Sequence, residues 1–207
     1  MLASIFHLKF ATAMMSSWMA SASPLPIPAA AIGLALEAHV ATPVEVQLVD
    51  VNRTGVAASV VVERDGSTDA ATATRLAHLF RCRTGREHGL AQRTMVMLAD
   101  LAERYGKPLE FVSVYRVAAG ESPTSPHRDA RAIDFRIAGV PLTEIRDYLF
   151  RTYTEVGIGW YPYERFIHMD TRPRDTVWTF TNGVNDYHPG WADRREQPVR
   201  VRHRPGV

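Results

Sequence analysis

Histidine and aspartate occur together in two short stretches, "SPHRDARAIDF" at residues 125–135 and "RFIHMD" at residues 165–170. Both side chains bind divalent metals. A catalytic zinc takes three protein ligands from His and Asp or Glu and leaves its fourth position to water. Successive side chains of a strand point to opposite faces. Over "RAIDFRI" that alternation sets Ile133, Phe135 and Ile137 on one side and Ala132 and Asp134 on the other. Over "RFIHMD" it sets Ile167 and Met169 against Phe166, His168 and Asp170. His127, Asp134 and His168 are therefore candidate ligands, the two strand residues turned away from the apolar side. Spacing alone leaves two readings open: one shared metal, or a loop histidine and strand residues that serve ordinary hydrogen bonding. No CxxC or HExxH framework decides between them.

Hydrophobic period locates the elements that would carry these residues. "VEVQLVD" and "VAASVVVER" are β-rich and flank "VNRTG", which predicts a β-hairpin region over 44–66. In "STDAATATRLAHLFR" the period becomes helical, with Leu76, Leu79 and Phe80 on one face. A second helix places Ala91, Met95, Leu98, Leu101, Ala102 and Tyr105 at spacings of three and four, and Gly106 and Pro108 stop it. "PLTEIRDYLFRTYTEV" predicts a third. "LEFVSVYR", "RAIDFRI" and "DTVWTFT" predict strands, and "GIGWYPYERFIHMDT" predicts a glycine-rich turn running into another.

A chain of 207 residues suits one domain with some extra at its ends. With 46% hydrophobic and 22% charged residues, disorder over most of the length is excluded. The formal net charge of +2 gives no reason to expect nucleic acid as a partner. Cys82 is the only cysteine, so there is no internal disulfide framework. Residues 1–23 are rich in small and apolar residues, interrupted by His7 and Lys9, carry no acid and end in Ala20-Ser21-Ala22, as a cleavable export signal would. Pro24, Pro26 and Pro28 make 24–43 a linker followed by a short helix, and 186–207 reads as a basic, solvated C-terminal tail. No stretch reaches the roughly 18 uncharged apolar residues of a membrane span.

"SPHRDARAID" resembles the Ser-x-His-x-x-Gly-x-Ala-x-Asp motif of the M15 zinc peptidases, relatives of lysostaphin-type and hedgehog-type zinc folds. "GIGWYPYERFIHMDTR" is similar to the Gly-Val-Gly-x-Tyr-Pro…Phe-Val-His-x-Asp-Thr segment of their YcbK-like branch of exported murein peptidases. "FRCRTGREHGL" and "FVSVYR" resemble segments of the same branch, so the likeness runs in order over residues 72 to 180 and implies a peptidase domain at 67–185. Ser125, His127, Ala132 and Asp134 match the first motif, and His168 matches the third ligand. Ala130 stands where the motif has glycine, and "SVYR" where the branch has Ser-Gly-Tyr-Arg.

The resemblance implies zinc held by His127, Asp134 and His168, and hydrolysis of amide bonds in peptidoglycan stem peptides or cross-links by an exported, monomeric protein of the periplasm or beyond. It places Arg116 facing the substrate and the developing oxyanion. Many M15 enzymes carry an acid three residues before the last histidine, where this chain has Arg165. Strand parity makes Asp170 the candidate base and Glu164 the runner-up. The other task open to Asp170 is to fix the tautomer of His168. Trp160, Tyr161, Tyr163 and Trp178 could wall the cleft, with at least two of the four expected in the core. His39, His78, His88, His188 and His203 have no acidic partner at a useful spacing and read as surface residues. The expected fold is α+β, with helices on one face of a small, mostly antiparallel sheet and a zinc cleft on the other, like the hedgehog and DD-peptidase folds. The second functional reading is a catalytically inactive, zinc-bearing module that binds the cell wall or a partner on the same fold.

Overall fold

The computed structural model of the protein describes residues 42–189. The expected export signal, residues 24–41 of the linker with its short helix, and residues 190–207 of the basic tail lie outside them. The order is β1 (Val44–Asp50), β2 (Ala57–Val62), α1 (Ala70–Leu79), α2 (Gln92–Tyr105), β3 (Leu109–Ser113), a 3-10 turn (Pro126–Asp129), β4 (Ala132–Ile137), α3 (Leu142–Thr152), β5 (Val156–Tyr161), β6 (Phe166–Thr171), β7 (Thr176–Thr181) and β8 (Val184–Tyr187).

All eight strands join one sheet in the order β2-β1-β3-β4-β6-β5-β7-β8. The β1–β3 and β5–β7 pairs are parallel and the rest antiparallel, so the fold is α+β with a mixed, mostly antiparallel sheet. Eight strands exceed the four to six of a usual sheet, so it is not the small one expected. The hairpin is not separate from it, because β1 pairs with β3. At the other edge β8 crosses the boundary at which the basic tail was expected to start.

The helices follow from local signals. The Asp69 side chain caps α1 by accepting from the Thr72 N–H at 2.9 Å. Gly106 ends α2 with φ 58°, a left-handed conformation that glycine adopts without a Cβ clash. α2 packs on β1, β2 and β6, and α3 on β5 and β6. Beneath them Leu98, Leu101, Ile133, Phe135, Ile145, Leu149, Ile158 and Ile167 are fully buried in one core. The strand residues of the opposite parity, Asp134, His168 and Asp170, are left for the other face.

β5 departs from the sequence reading. "VGIGWY" is a strand, and the turn comes after it at residues 162–165. Its glycines face the side of the sheet that carries His168 and Asp170. In the register Gly157 lies opposite Asp170, while Gly159 lies opposite both His168 and Trp178. A Cβ on Gly157 would overlap the Asp170 carboxylate and the Arg172 guanidinium, and one on Gly159 would meet Trp178 Cε2 at 2.5 Å. The missing side chains let neighbouring strands lay large groups across β5.

Candidate metal centre

His127, Asp134 and His168 each offer one ligand atom, and these atoms lie within 4.8 Å of one another, all buried. Three elements deliver them. His127 sits on the 3-10 turn, fixed because the Arg116 N–H donates to its carbonyl at 3.1 Å and its Nδ1–H to the Val114 carbonyl at 2.6 Å. Asp134 on β4 and His168 on β6 are direct cross-strand partners. The entry to β4 is anchored to α2, since the Ala91 N–H donates to the Ala130 carbonyl at 2.9 Å and Thr94 Oγ1 to the Arg131 carbonyl at 3.1 Å. Ala130 occupies the left-handed region at φ 48°. The backbone there does need the conformation a glycine would give freely, at a cost of about 1 kcal/mol for alanine.

The hydrogen bonds settle which ring nitrogens are free. Nδ1 of His127 must carry hydrogen to bond a carbonyl, so its Nε2 presents a lone pair. Nε2 of His168 lies 2.7 Å from Asp170 Oδ2, which leaves Nδ1 to turn inward. The inward atoms are 3.2 Å apart, and Asp134 Oδ1 lies 2.8 Å from His168 Nδ1 and 3.4 Å from His127 Nε2. Three lone-pair donors thus converge in a buried space. Zinc bonds of about 2.0–2.1 Å in tetrahedral directions would separate their ligand atoms by about 3.3 Å; the two edges at His127 match this, and the edge between Asp134 and His168 would open by about 0.5 Å. The donor set and tautomers fit zinc.

Without a cation, protons supply the positive charge. Burial alone would lower the His168 pKa, but hydrogen bonds to Asp134 and Asp170 outweigh it and raise the value to about 8. Burial would raise Asp134, yet the charge and hydrogen bond of His127, with those of His168, hold it well below the usual carboxylate range. Asp170 is also opposed by burial, and hydrogen bonds first from Arg172 and then from His168 bring it to about 2.

The structure gives Asp170 a position unlike the one expected of a base. It is fully buried. Oδ2 accepts from the outer nitrogen of His168 and from Arg172 Nη2, and Oδ1 accepts from Arg172 Nε at 2.6 Å. Both oxygens are engaged on the side of His168 away from the cluster. Glu164 and Arg165 lie exposed in the turn between β5 and β6, outside strand register. Arg116 Nη1 donates to Asp134 Oδ2 at 3.3 Å, and its Nε lies 3.1 Å from Glu121 Oε2. The Arg116 side chain is 40% exposed, so it reaches from the cluster towards solvent.

Two of the four aromatic residues border the cluster. The ring of Trp178 lies 5.1 Å from His168, and its Nε1–H donates to the Tyr161 hydroxyl at 3.2 Å. Trp160 packs against the core on the helix side, and Tyr163 is exposed in the turn. Trp178 is buried and Trp160 packs against the core, so two of the four are core residues as expected, although Trp178 lies on the site face. Among the other described histidines, His78 pairs with Glu87 at 2.6 Å, an acidic partner nine residues away that the sequence reading missed. His188 bonds Thr179 Oγ1, and His88 lies against Tyr115. None of the three joins the cluster. His39 and His203 fall outside the described residues. Arg172 and Glu121 were also missed; strand parity with Asp170 could have found the first, whereas the loop carrying Glu121 has no period to read.

Gly159→Ala is expected to drive Trp178 off His168 and destabilise the protein by about 1–3 kcal/mol. Chemical denaturation followed by tryptophan fluorescence checks both effects.

A buried His-Asp-His triad on the open face of an α+β sheet defines a candidate mononuclear metal site of the kind used by zinc hydrolases. Residues 39–177 match the family model described as peptidoglycan L,D-endopeptidase MepK, so the chain belongs to this M15 peptidase family. The chain is 43% identical over 58 residues to the "Probable peptidoglycan L,D-endopeptidase MepK" of Haemophilus influenzae, covering 28% of this chain and 31% of that protein. It is 32% identical over 77 residues to the peptidoglycan L,D-endopeptidase MepK of Escherichia coli K12, covering 32% and 42%. The matched stretches thus span less than half the length of these curated relatives. No solved structure matches the chain.

Proposed function

We propose that the protein is a zinc-dependent peptidase of the periplasm or cell envelope, built on a hedgehog-type zinc fold, that hydrolyses amide bonds in peptidoglycan stem peptides or cross-links. The observation that carries this reading is the convergence of three lone-pair donors whose other polar atoms are already committed. Family membership supports the substrate class, and the relatives' names direct the first assay to L,D cross-links. Among the described residues no helix is long and apolar enough to cross a membrane.

His127 Nε2, Asp134 Oδ1 and His168 Nδ1 would hold the metal. When bound, zinc supplies Lewis acidity that polarises a scissile carbonyl and lowers the pKa of water towards about 7. The Val114 carbonyl and Asp170 keep the two imidazoles in ligand tautomers. Asp170 is thereby an orienting residue in this reading. Arg116 steadies the outer oxygen of Asp134 and turns its remaining donors towards a substrate carboxylate or oxyanion. Proton transfer falls to Glu121, a carboxylate 16% exposed beside Arg116 that is spent on no ligand. Glu164 makes no hydrogen bond or ion pair among the described residues.

The test is to incubate the zinc-loaded chain with purified murein, with and without chelator, and to identify released fragments by mass spectrometry. Release that stops with chelator and returns with zinc supports the peptidase. Stoichiometric zinc with no release would favour the inactive binding module instead. Glu121→Gln should keep its zinc and lower kcat by about 10²-fold.

A further inference from the structure

Tyr161 ends β5 on the face that carries Gly157 and Gly159. Its ring is stacked between Phe166, at 4.4 Å, and Phe180, at 4.9 Å. Stacking alone would be served as well by phenylalanine, so the hydroxyl calls for its own account. That oxygen accepts the indole N–H of Trp178 at 3.2 Å, and the same indole lies against His168. Indole nitrogen is a donor only, so the phenol is the acceptor in this bond and keeps its own proton for another partner. Among the described residues no acceptor takes that proton. Burial, more than any other cause, holds the phenol above its ordinary pKa, and the charges of Asp134 and Arg116 both act on it. Tyr161 is thus a neutral donor beside the metal centre, fixed in direction by a buried indole and by two flanking rings.

We propose that the Tyr161 hydroxyl is a catalytic hydrogen-bond donor of the cleft, giving its proton in a hydrogen bond to the substrate oxygen that becomes negative as the amide is attacked. This rests on the peptidase reading. Arg116 approaches from the side of Asp134 and Tyr161 from the side of Trp178, so the two donors would flank the reacting carbonyl. Trp178 is the positioning residue of this pair, acting through the phenol.

The experiment uses the full chain loaded with zinc. kcat and KM are measured on a purified cross-linked muropeptide dimer, and affinity for acetohydroxamate, a small metal-chelating oxyanion mimic, is measured by calorimetry. Tyr161→Phe is expected to keep its zinc and its KM while kcat falls about 10²-fold, as for loss of one oxyanion donor. Acetohydroxamate should then bind several-fold more weakly. Trp178→Phe retains the phenol and should lower kcat by about tenfold or less. It also guards against a folding defect caused by orphaning the indole N–H in Tyr161→Phe. A Tyr161→Phe protein with zinc, with kcat within twofold of wild type and unchanged hydroxamate affinity, would overturn the assignment. Should the wild-type chain cleave no muropeptide, the peptidase reading fails by itself. The hydroxamate arm then decides: weaker binding in Tyr161→Phe supports the donor, and equal binding rejects it.

Discussion

His168→Ala is expected to reduce bound zinc from about one per chain to under about 0.1 and to bring peptide release down to the level of chelator-treated wild type. Two donors remain after the change, and a two-ligand site forfeits much of the binding free energy that a closed donor set provides. The loss reaches further than one ligand. Asp170 Oδ2 sits 2.7 Å from His168 Nε2, so this buried carboxylate loses a donor as well. Elemental analysis of wild type beside the variant gives the zinc content directly. His78→Ala, which alters an exposed histidine paired with Glu87, should leave zinc unchanged. Equal zinc in His168→Ala and wild type would sink the metal assignment.

Asp170→Ala should weaken zinc binding by about 10–100-fold, because the partner that fixes His168 is lost. It should also destabilise the protein by about 2–3 kcal/mol, since Arg172 is left without its buried carboxylate. Arg172 is 24% exposed, so water recovers part of its solvation and the figure stays below that of a fully buried pair. Asp170→Asn keeps the shape and an acceptor for His168 but removes the charge facing Arg172, and should fall between wild type and alanine.

The pH dependence of the metal-free protein separates the two partners. Asp170 is held at about 2 in the fold, below its ordinary value, so its contribution is present above about pH 4 and is lost as pH falls through about 2. His168 is raised to about 8, so its contribution is complete below about pH 6.5 and is lost as pH rises through about 8. Metal-free wild type should therefore be most stable in the mildly acidic range. Asp170→Ala should flatten the decline towards pH 8, because one of the two hydrogen bonds that raise His168 is gone. Urea midpoints across pH 4–9 in the presence of chelator measure it. A wild-type midpoint that rises from pH 6.5 to 8.5 would contradict the His168 assignment.

Much of this centre was legible before any coordinates. Alternation placed Asp134 and His168 away from the apolar residues of their own strands, and the motif around Ser125 to Asp134 supplied His127 as the third candidate ligand. The α2 boundaries were legible because Gly106 is a local stop. β5 was misread because glycine in a sequence usually marks a turn, whereas Gly157 and Gly159 record the bulk of Asp170 and Trp178 on adjacent strands and of Arg172 just beyond β6. That information lies in residues at least eleven positions further along the chain, and no local period carries it.

The sequence by itself determined the donor types, the face on which each strand residue stands and the helices that cover the opposite face, since these follow from side-chain chemistry and from periods of two and 3.6. Parity puts Asp170 on the ligand face but not on a side of His168. Only the tertiary structure decided that Asp170 stands behind the imidazole, that Arg172 engages both its oxygens, that Glu121 pairs with Arg116 and that the Tyr161 hydroxyl meets Trp178. These are matters of direction between side chains on separate strands and loops. They were settled by cross-strand register, by the left-handed turn at Ala130 and by the room that two glycines leave.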